Sequence, residues 1–426
     1  MLLNLFRATL LLICIYTARH YYFTLNRLFG RQRHPYIDID TADWPAVTVL
    51  VAAHNEEAVV GDILKALLEV DYPPERLQII PVNDRSTDRT REIIDSYVEQ
   101  FPTIKPFHRA GGKPGKAAAL KDAMALVNTE VVLVFDADYV PGKALIRQLV
   151  APFFDPEVGA VMGRVVPLNV GKKLLTRLLD LERSGGYQVD QQARMNLHMV
   201  PQYGGTVAGI RKSALDEIGG WNENALAEDT DLTYRLLLAG WKTIYENRAE
   251  CYEEVPERWP VRVRQIMRWA KGHNQTMIHC LLHTAKSRGL SWAERVDGVL
   301  LLGVYLMGPV LLLGWLLAVI LFYTGVEIGG GVTVLALGAF TTLGNFAAFF
   351  EIAAAARLDG SRERIRLLPL TLFGFVVSLV SVSQAAWQQA EDILFGQTEL
   401  VWNKTERSRV APVLEEPAVH VAEAAP

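Results

Sequence analysis

From Val299 to Tyr323 the chain runs VLLLGVYLMGPVLLLGWLLAVILFY, 25 residues without a charge. About 20 apolar residues suffice to cross the hydrocarbon layer of a bilayer as a helix, so this run fixes one transmembrane span and constrains everything built around it. Residues 328–353 and 367–387 read the same way, the latter less apolar toward its end. Ser378, Ser381, Ser383 and Gln384 in that stretch suit close helix packing, which small and hydroxyl side chains permit. Near the N-terminus, LFRATLLLICIYTARHYYFTLNRLF lacks a small-residue cleavage site and ends in aromatics and Arg27, which favours a retained anchor over residues 1–28. The expected plan is one span, a soluble block, three spans within 296–392, and a tail over 393–426 whose last residues, PVLEEPAVHVAEAAP, lack the apolar content to fold.

The basic segments RLFGRQRHP and RLDGSRERIR both belong on the cytoplasmic side by the positive-inside rule. One span followed by three sends the basic WNKTERSR to the other side, so the parity stays open; an interfacial or re-entrant segment would repair it. A hydrophobic content of 50% and a mean hydropathy of +0.15 agree with a membrane protein carrying one soluble domain. A net charge of -4 with no arginine-rich tail argues against nucleic acid as a partner. Cys14, Cys251 and Cys280 form neither a disulfide framework nor a metal-binding pattern and read as buried or lipid-facing groups.

Between Trp44 and Pro256 the pattern changes. AVTVLVAA, LQIIPVND and EVVLVFDAD are short apolar, β-branched runs, each ending in polar residues, and the first two are followed by helical periodicity. Buried strands alternating with helices predict an α/β domain with a largely parallel sheet, whose ligands bind beyond the carboxyl ends of the strands. No GxGxxG opens a helix and no GxxxxGK[ST] is present. GGKPGKAAAL reads either as a turn entering a helix or as a place where Lys113 or Lys116 meets a diphosphate at a helix N-terminus.

Acidic residues gather at these strand ends. Asp136 and Asp138 in FDAD offer two hard oxygen donors to a cation once the strand bends, or else make a solvated turn. Of Asp84 and Asp88, one can cap the next helix while the other meets a ligand. Glu228, Asp229 and Asp231 stand at a helix start, favoured there by the dipole, and such a carboxylate can take a proton from an attacking hydroxyl. Within QIMRW, Gln265, Arg268 and Trp269 fall on one helix face. There Trp can lie against a sugar and Arg can fork onto a diphosphate. The same stretch, 257–295, with Arg258, Arg262, Arg264, Lys271 and Trp259, also suits a helix lying on the membrane surface.

VAAHNEE, NDRSTD, GKPGKAAAL, FDAD, AEDTDL and QIMRW stand in an order and spacing that resembles the membrane-integrated family 2 glycosyltransferases over residues 45–275. The expected kinship is with the processive members that make cellulose, hyaluronan, chitin oligosaccharides and poly-N-acetylglucosamine. The resemblance implies an α/β GT-A nucleotide-sugar-binding domain, residues 44–256, inserted between transmembrane helices and facing the cytoplasm of the cell. By the same resemblance Asp84 meets the nucleoside, Lys113, Lys116, Asp136 and Arg268 serve the diphosphate, and Asp138 ligates Mg²⁺ or Mn²⁺. Asp229 is the implied general base, and Glu228, Gln265, Trp269, Gly205 and Thr206 the implied acceptor contacts. Ala227 stands where the family often has Thr, which removes a capping hydroxyl. The implied reaction is inverting transfer of a hexose, glucose or mannose, from a UDP-sugar (GDP-mannose staying open) to a growing β-linked polysaccharide, with translocation, membrane lipids around it and an accessory export subunit. The rival is transfer of one sugar to a lipid such as ceramide or diacylglycerol.

Overall fold

The three β-branched runs form neighbouring strands in the computed structural model of the chain, which describes residues 1–35, 43–340 and 342–395, and only the backbone at 342–345 and 362. The strands are β1 (Val47–Ala53), β2 (Leu77–Asp84), β3 (Phe107–Arg109), β4 (Val131–Asp136), β5 (Val140–Pro141), β6 (Val158–Pro167), β7 (Ala208–Arg211) and β8 (Lys242–Glu253). They build one eight-stranded sheet in the order β3-β2-β1-β4-β7-β6-β8-β5. β1 runs parallel to β2 and β4, with Ala52 opposite both Val82 and Asp136, so the three strands end level and present their polar termini along one edge. Val49, Leu50, Val51, Ile79, Leu133 and Val134 are buried, as continuous apolar runs in a sheet covered on both faces should be.

The largely parallel arrangement expected from sequence holds for β1 to β4 only. β7 is antiparallel to β4 and β6, β6 is parallel to β8, and β5 is antiparallel to β8, so the sheet is mixed. The result is an α/β domain of GT-A type flanked by apolar helices toward both ends of the chain.

The helices that matter for the site are α1 (Leu2–Phe29), α2 (Lys116–Ala123), α3 (Leu174–Ser184), α4 (Glu228–Ala239), α5 (Trp259–Lys286), α6 (Met307–Tyr323), α7 (Gly330–Phe340), α8 (Thr342–Leu358) and α9 (Leu368–Phe395). Among the described residues three helical stretches are long and apolar enough to cross a membrane: Leu2–Phe29, Val304–Tyr323 and Glu363–Phe395. The expected single span over 328–353 is corrected, because that stretch forms two helices, α7 and α8. At about 1.5 Å per residue, the 11 residues of α7 reach roughly half of the bilayer's ~30 Å core. α7 packs on α1 instead, with Val332 and Ala339 in one apolar cluster with Phe6, Leu10, Ile13, Leu317 and Leu321. The last span runs on to Phe395, past the expected end at Trp387. The rest of the expected tail, with WNKTERSR, lies outside the described residues.

Buried charges fasten the membrane helices to the soluble domain. Arg19 of α1 and Arg194 reach the two carboxylate oxygens of Asp297, at 3.3 and 3.1 Å. Asp359, in the loop after α8, accepts from Arg164 of β6 and from Gln188, both at 2.6 Å, and from Ser184. Arg364 of the same loop pairs with Asp180 at 2.6 Å. The loop RLDGSRERIR therefore sits on the same side as the soluble domain.

Candidate active site

Beyond the level ends of β1, β2 and β4 opens a cavity of about 1530 Å³ whose wall includes Asp84, Asp136, Asp138, Glu228 and Asp229 together. Carboxylates separated by up to 145 positions in the chain thus face one space.

Asp84, at the end of β2, accepts from Arg109 at 2.9 Å, from Arg85 at 2.9 Å and from the Gly115 N–H at 3.2 Å. Burial works against its charge, but these donors outweigh it and hold the carboxyl below its ordinary range. Arg109 is fixed from its other side by Asp122 at 2.7 Å, so the loop 110–115 is anchored to the strand end. Asp88 serves the following helix, accepting from the Thr90 N–H at 3.0 Å, and also takes the Glu57 N–H at 3.1 Å.

Lys116 opens α2 and points into the acidic group. Its ammonium lies 2.7 Å from Asp136 Oδ1 and 3.5 Å from Glu228 Oε1, and donates to the Gly205 carbonyl at 2.8 Å. Desolvation alone would lower its pKa, yet the surrounding carboxylates raise it. Lys113 is exposed and donates to Asn224, away from the cavity wall. Of the two lysines only Lys116 reaches the site.

Asp229 sits in the first turn of α4, accepting the Thr230 N–H at 2.7 Å. Burial, then repulsion from Glu228, pushes its carboxyl up to about 6, against the opposing pull of that N–H, Lys116 and Arg268. A carboxylate titrating there is a competent proton acceptor near neutral pH. Gly205 and Thr206 act from behind: the Thr206 hydroxyl accepts the Asp136 N–H at 3.0 Å, and Thr206 and Gly204, with Gly205 left out, form the wall. Gly205 has φ +72, and a Cβ there would fall 3.1 Å from that of Asp229. Gly205→Ala should therefore cost about 1–2 kcal/mol of stability, the usual penalty for a left-handed non-glycine residue, and should displace Asp229; thermal unfolding and turnover measured together check this.

The face of α5 foreseen in QIMRW does turn to the cavity, with Gln265, Arg268 and Trp269 all on its wall. Gln265 accepts from Arg262 at 2.8 Å. Among the described residues Arg268 makes no hydrogen bond or ion pair, and its charge acts on Asp229 across the cavity. Trp269 lies between two guanidinium groups, Arg183 at 5.3 Å and Arg262 at 5.2 Å from its ring centre. α5 approaches α4 closely because residue 272 is glycine; a Cβ there would meet Ala227 Cβ and N at 2.7 Å. That contact accounts for a small residue at 227.

Sequence reasoning missed Arg183 and the Glu253 that it pairs with at 2.7 Å, and gave Arg262 only a membrane-surface role. Arg262 had a signal, standing three residues before Gln265 on the same helix face. Arg183 had none, because Glu253 lies 70 positions away.

Among the described residues no group of three or more His, Cys, Asp or Glu is arranged to hold a metal. Mg²⁺ and Mn²⁺ in nucleotide sites need only one or two carboxylates, with substrate phosphates completing the shell. Asp138, 3% exposed and on the cavity wall two residues from Asp136, supplies a hard oxygen donor of that kind, so the residues fit.

The cavity does not stop at the soluble domain. It continues past Arg268 and Trp269 between the membrane helices, where its wall becomes Met307, Leu311, Leu379 and Val382.

The family model described as glycosyltransferase like family 2 matches residues 45–272. The probable glycosyltransferase YdaM of Bacillus subtilis is 37% identical over 267 residues, which cover 62% of this chain and 62% of that protein. The beta-monoglucosyldiacylglycerol synthases of Synechocystis and Nostoc are 34% and 33% identical over 261 residues, covering 61% and 60% of this chain and 54% of each relative. The matched region is thus less than two thirds of these relatives' own length. Among solved structures, the mannosyltransferase PcManGT from Pyrobaculum calidifontis, in complex with GDP-Man and Mn²⁺, shares the fold, with a TM-score of 0.57 at 20% identity over 93% of this chain and 100% of that one. The relatives correct the expected kinship with processive polysaccharide synthases. Those whose names state a product make a lipid carrying one glucose, so the polymer and its export subunit are no longer implied.

Proposed function

Because the chain belongs to the glycosyltransferase like family 2 and is a glycosyltransferase, we propose that it transfers a single hexose from a nucleotide-sugar, a UDP-sugar in the first instance, to the hydroxyl of a membrane lipid. The observation that carries this is the continuity of the cavity, which begins at Asp84, Asp138 and Asp229 and ends among the apolar side chains of α6 and α9. Magnitudes favour a lipid there. Acyl chains moving from bilayer to apolar cavity exchange one hydrocarbon environment for another at little cost, whereas each unpaired glycan hydroxyl costs about 1–3 kcal/mol.

In this account residues 44–256 bind the donor at the cytoplasmic face of the cell membrane and 257–295 join that site to the spans. Asp84, held by Arg109, braces the loop 110–115 beside the nucleoside. The acceptor oxygen attacks the anomeric carbon as the bond to the diphosphate breaks, inverting the centre. The proton passes to Asp229, and the departing UDP takes the bonding pair. Arg268, unpaired by protein among the described residues, meets the charge that develops on the diphosphate. Asp138, with the donor phosphates, would hold Mg²⁺ or Mn²⁺, which would supply further charge neutralisation. Asp138→Asn should raise the Mn²⁺ concentration needed for half-maximal activity at least ~10-fold, since losing even a group that only orients a ligand typically costs about 10–100-fold in metal affinity; an unchanged metal dependence assigns the ion elsewhere.

The test is a donor screen. Purified protein in nanodiscs, with Mg²⁺ or Mn²⁺, is given UDP- and GDP-linked glucose and mannose with and without diacylglycerol. Nucleotide release that depends on the lipid supports the proposal. Release that ignores lipid and follows added oligosaccharide overturns it.

A further inference from the structure

At its membrane end the cavity wall includes side chains that also face outward. Trp315 of α6, Phe346 of α8, and Leu372 and Val376 of α9 all line the cavity, yet they are 48, 57, 56 and 49% exposed. A residue that both lines a cavity and lies half open to its surroundings marks a mouth. Two of the three helices that bear it, α6 and α9, are long and apolar enough to span the membrane, so it opens sideways onto acyl chains. The helices on its two sides meet at one end, where Ile352 and Ala356 of α8 pack with Leu368 and Phe375 of α9, and each has its main support elsewhere. α8 packs with α7 against α1, while α9 packs along α5, through Ile266 and Ala270 with Val382 and Ala385. Across the gap, Phe349 of α8 meets Phe375 of α9 edge to face, with ring centres 5.3 Å apart and an interplanar angle of 87°.

Resting on the lipid-acceptor function above, we propose that the acceptor enters from within the bilayer through this opening between α8 and α9, and that the Phe349–Phe375 pair sets which lipids pass. The occupant is a hydroxyl-bearing lipid with acyl chains. Its chains stay in the opening while the headgroup advances toward Asp229, which makes the cavity continuous with the bilayer on one side and with the donor on the other. Two rings in edge-to-face contact separate by side-chain rotation, so the gap widens without moving either helix, and chain bulk rather than headgroup chemistry is what the pair discriminates.

The experiment uses the full chain in nanodiscs. Phe375→Trp together with Leu372→Trp narrows the gap; Phe349→Ala widens it. Rates are measured with dioleoylglycerol, with water-soluble dihexanoylglycerol, and with no acceptor, where nucleotide release reports hydrolysis of the donor. The narrowed protein should lose at least tenfold on dioleoylglycerol while dihexanoylglycerol transfer and hydrolysis stay within twofold, and Phe349→Ala should favour bulkier chains. Equal loss on the two lipids, or no loss on either, overturns the portal. A second arm does not depend on turnover: dioleoylglycerol with a diazirine in its chain should cross-link to the peptides carrying Phe349 and Phe375, whereas adducts confined to the outer face of α1 overturn the proposal. Cross-linking at the opening without lipid transfer by the unaltered protein keeps the portal and rejects the acceptor function on which it was built.

Discussion

Replacing Asp229 by Asn is expected to lower turnover by about 10³-fold, in the range lost with a general base, while donor affinity stays within about twofold. The asymmetry follows from geometry. The groups expected to serve the donor and lining the cavity are Asp84, Lys116, Asp136, Asp138 and Arg268, and Asp229 adds to them only the acceptance of a proton. The amide is nearly the same size and still accepts the Thr230 N–H, so the turn that opens α4 survives. The pH profile gives an independent check. Asp229 works as its anion, and burial beside Glu228 places its titration at about 6. Activity should therefore fall about tenfold per unit below that pH and level off above it. If Asp229→Asn loses donor binding and turnover equally, the carboxylate serves the donor and another group is the base.

Lys116→Met is expected to have the second largest effect, on activity and stability together. The ammonium lies among Asp136, Glu228 and Asp229, and without it these carboxylates lose their nearest cation, leaving Arg268 to act on Asp229 from across the cavity. Removing one partner of a fully buried ion pair typically costs about 3–5 kcal/mol; Lys116 and Asp136 are half-buried, so the cost here should fall below that range. Lys116 also pulls the Asp229 pKa down, so its loss should move the acid limb of the pH profile upward, by roughly one unit if the coupling is worth about 1.4 kcal/mol. Lys116→Arg should restore the pH limb in part, since the charge returns, without full activity, since the guanidinium cannot reproduce the contacts to Asp136 and the Gly205 carbonyl together. A limb that stays in place with Met would show that Lys116 stabilises the loop alone.

How much of this was legible in the sequence depended on whether a signal was local. β1, β2 and β4 could be read because their burial is continuous and their side chains are β-branched. β8 could not, because KTIYENRAECYE looks solvated. Its Glu246 is buried through a contact with Arg248 two residues away, while Glu253 is held by Arg183 and Tyr139 from distant segments. β6 is broken by Gly163 and Arg164, and the glycine is required where a Cβ would strike the Ala249 carbonyl. The acidic motifs and the α5 face carried their chemistry on their surface, so their convergence could be anticipated. Hydropathy gave the apolar length of 328–353 but not its division into two helices. The choice between polymer and single transfer was harder to read: the motifs place Gln265 and Trp269 near an acceptor without saying which, and the membrane end of the cavity is lined by side chains from dispersed helices, none distinctive in its own segment.

The central claim is that one sugar passes to one lipid. The most direct measurement is the mass of the product after exhaustive incubation with labelled UDP-glucose and, separately, GDP-mannose in diacylglycerol nanodiscs. A single organic-extractable lipid, heavier than its acceptor by one hexose and unchanged in mass as donor is increased, is the predicted result. A ladder of water-soluble chains lengthening with donor would contradict it.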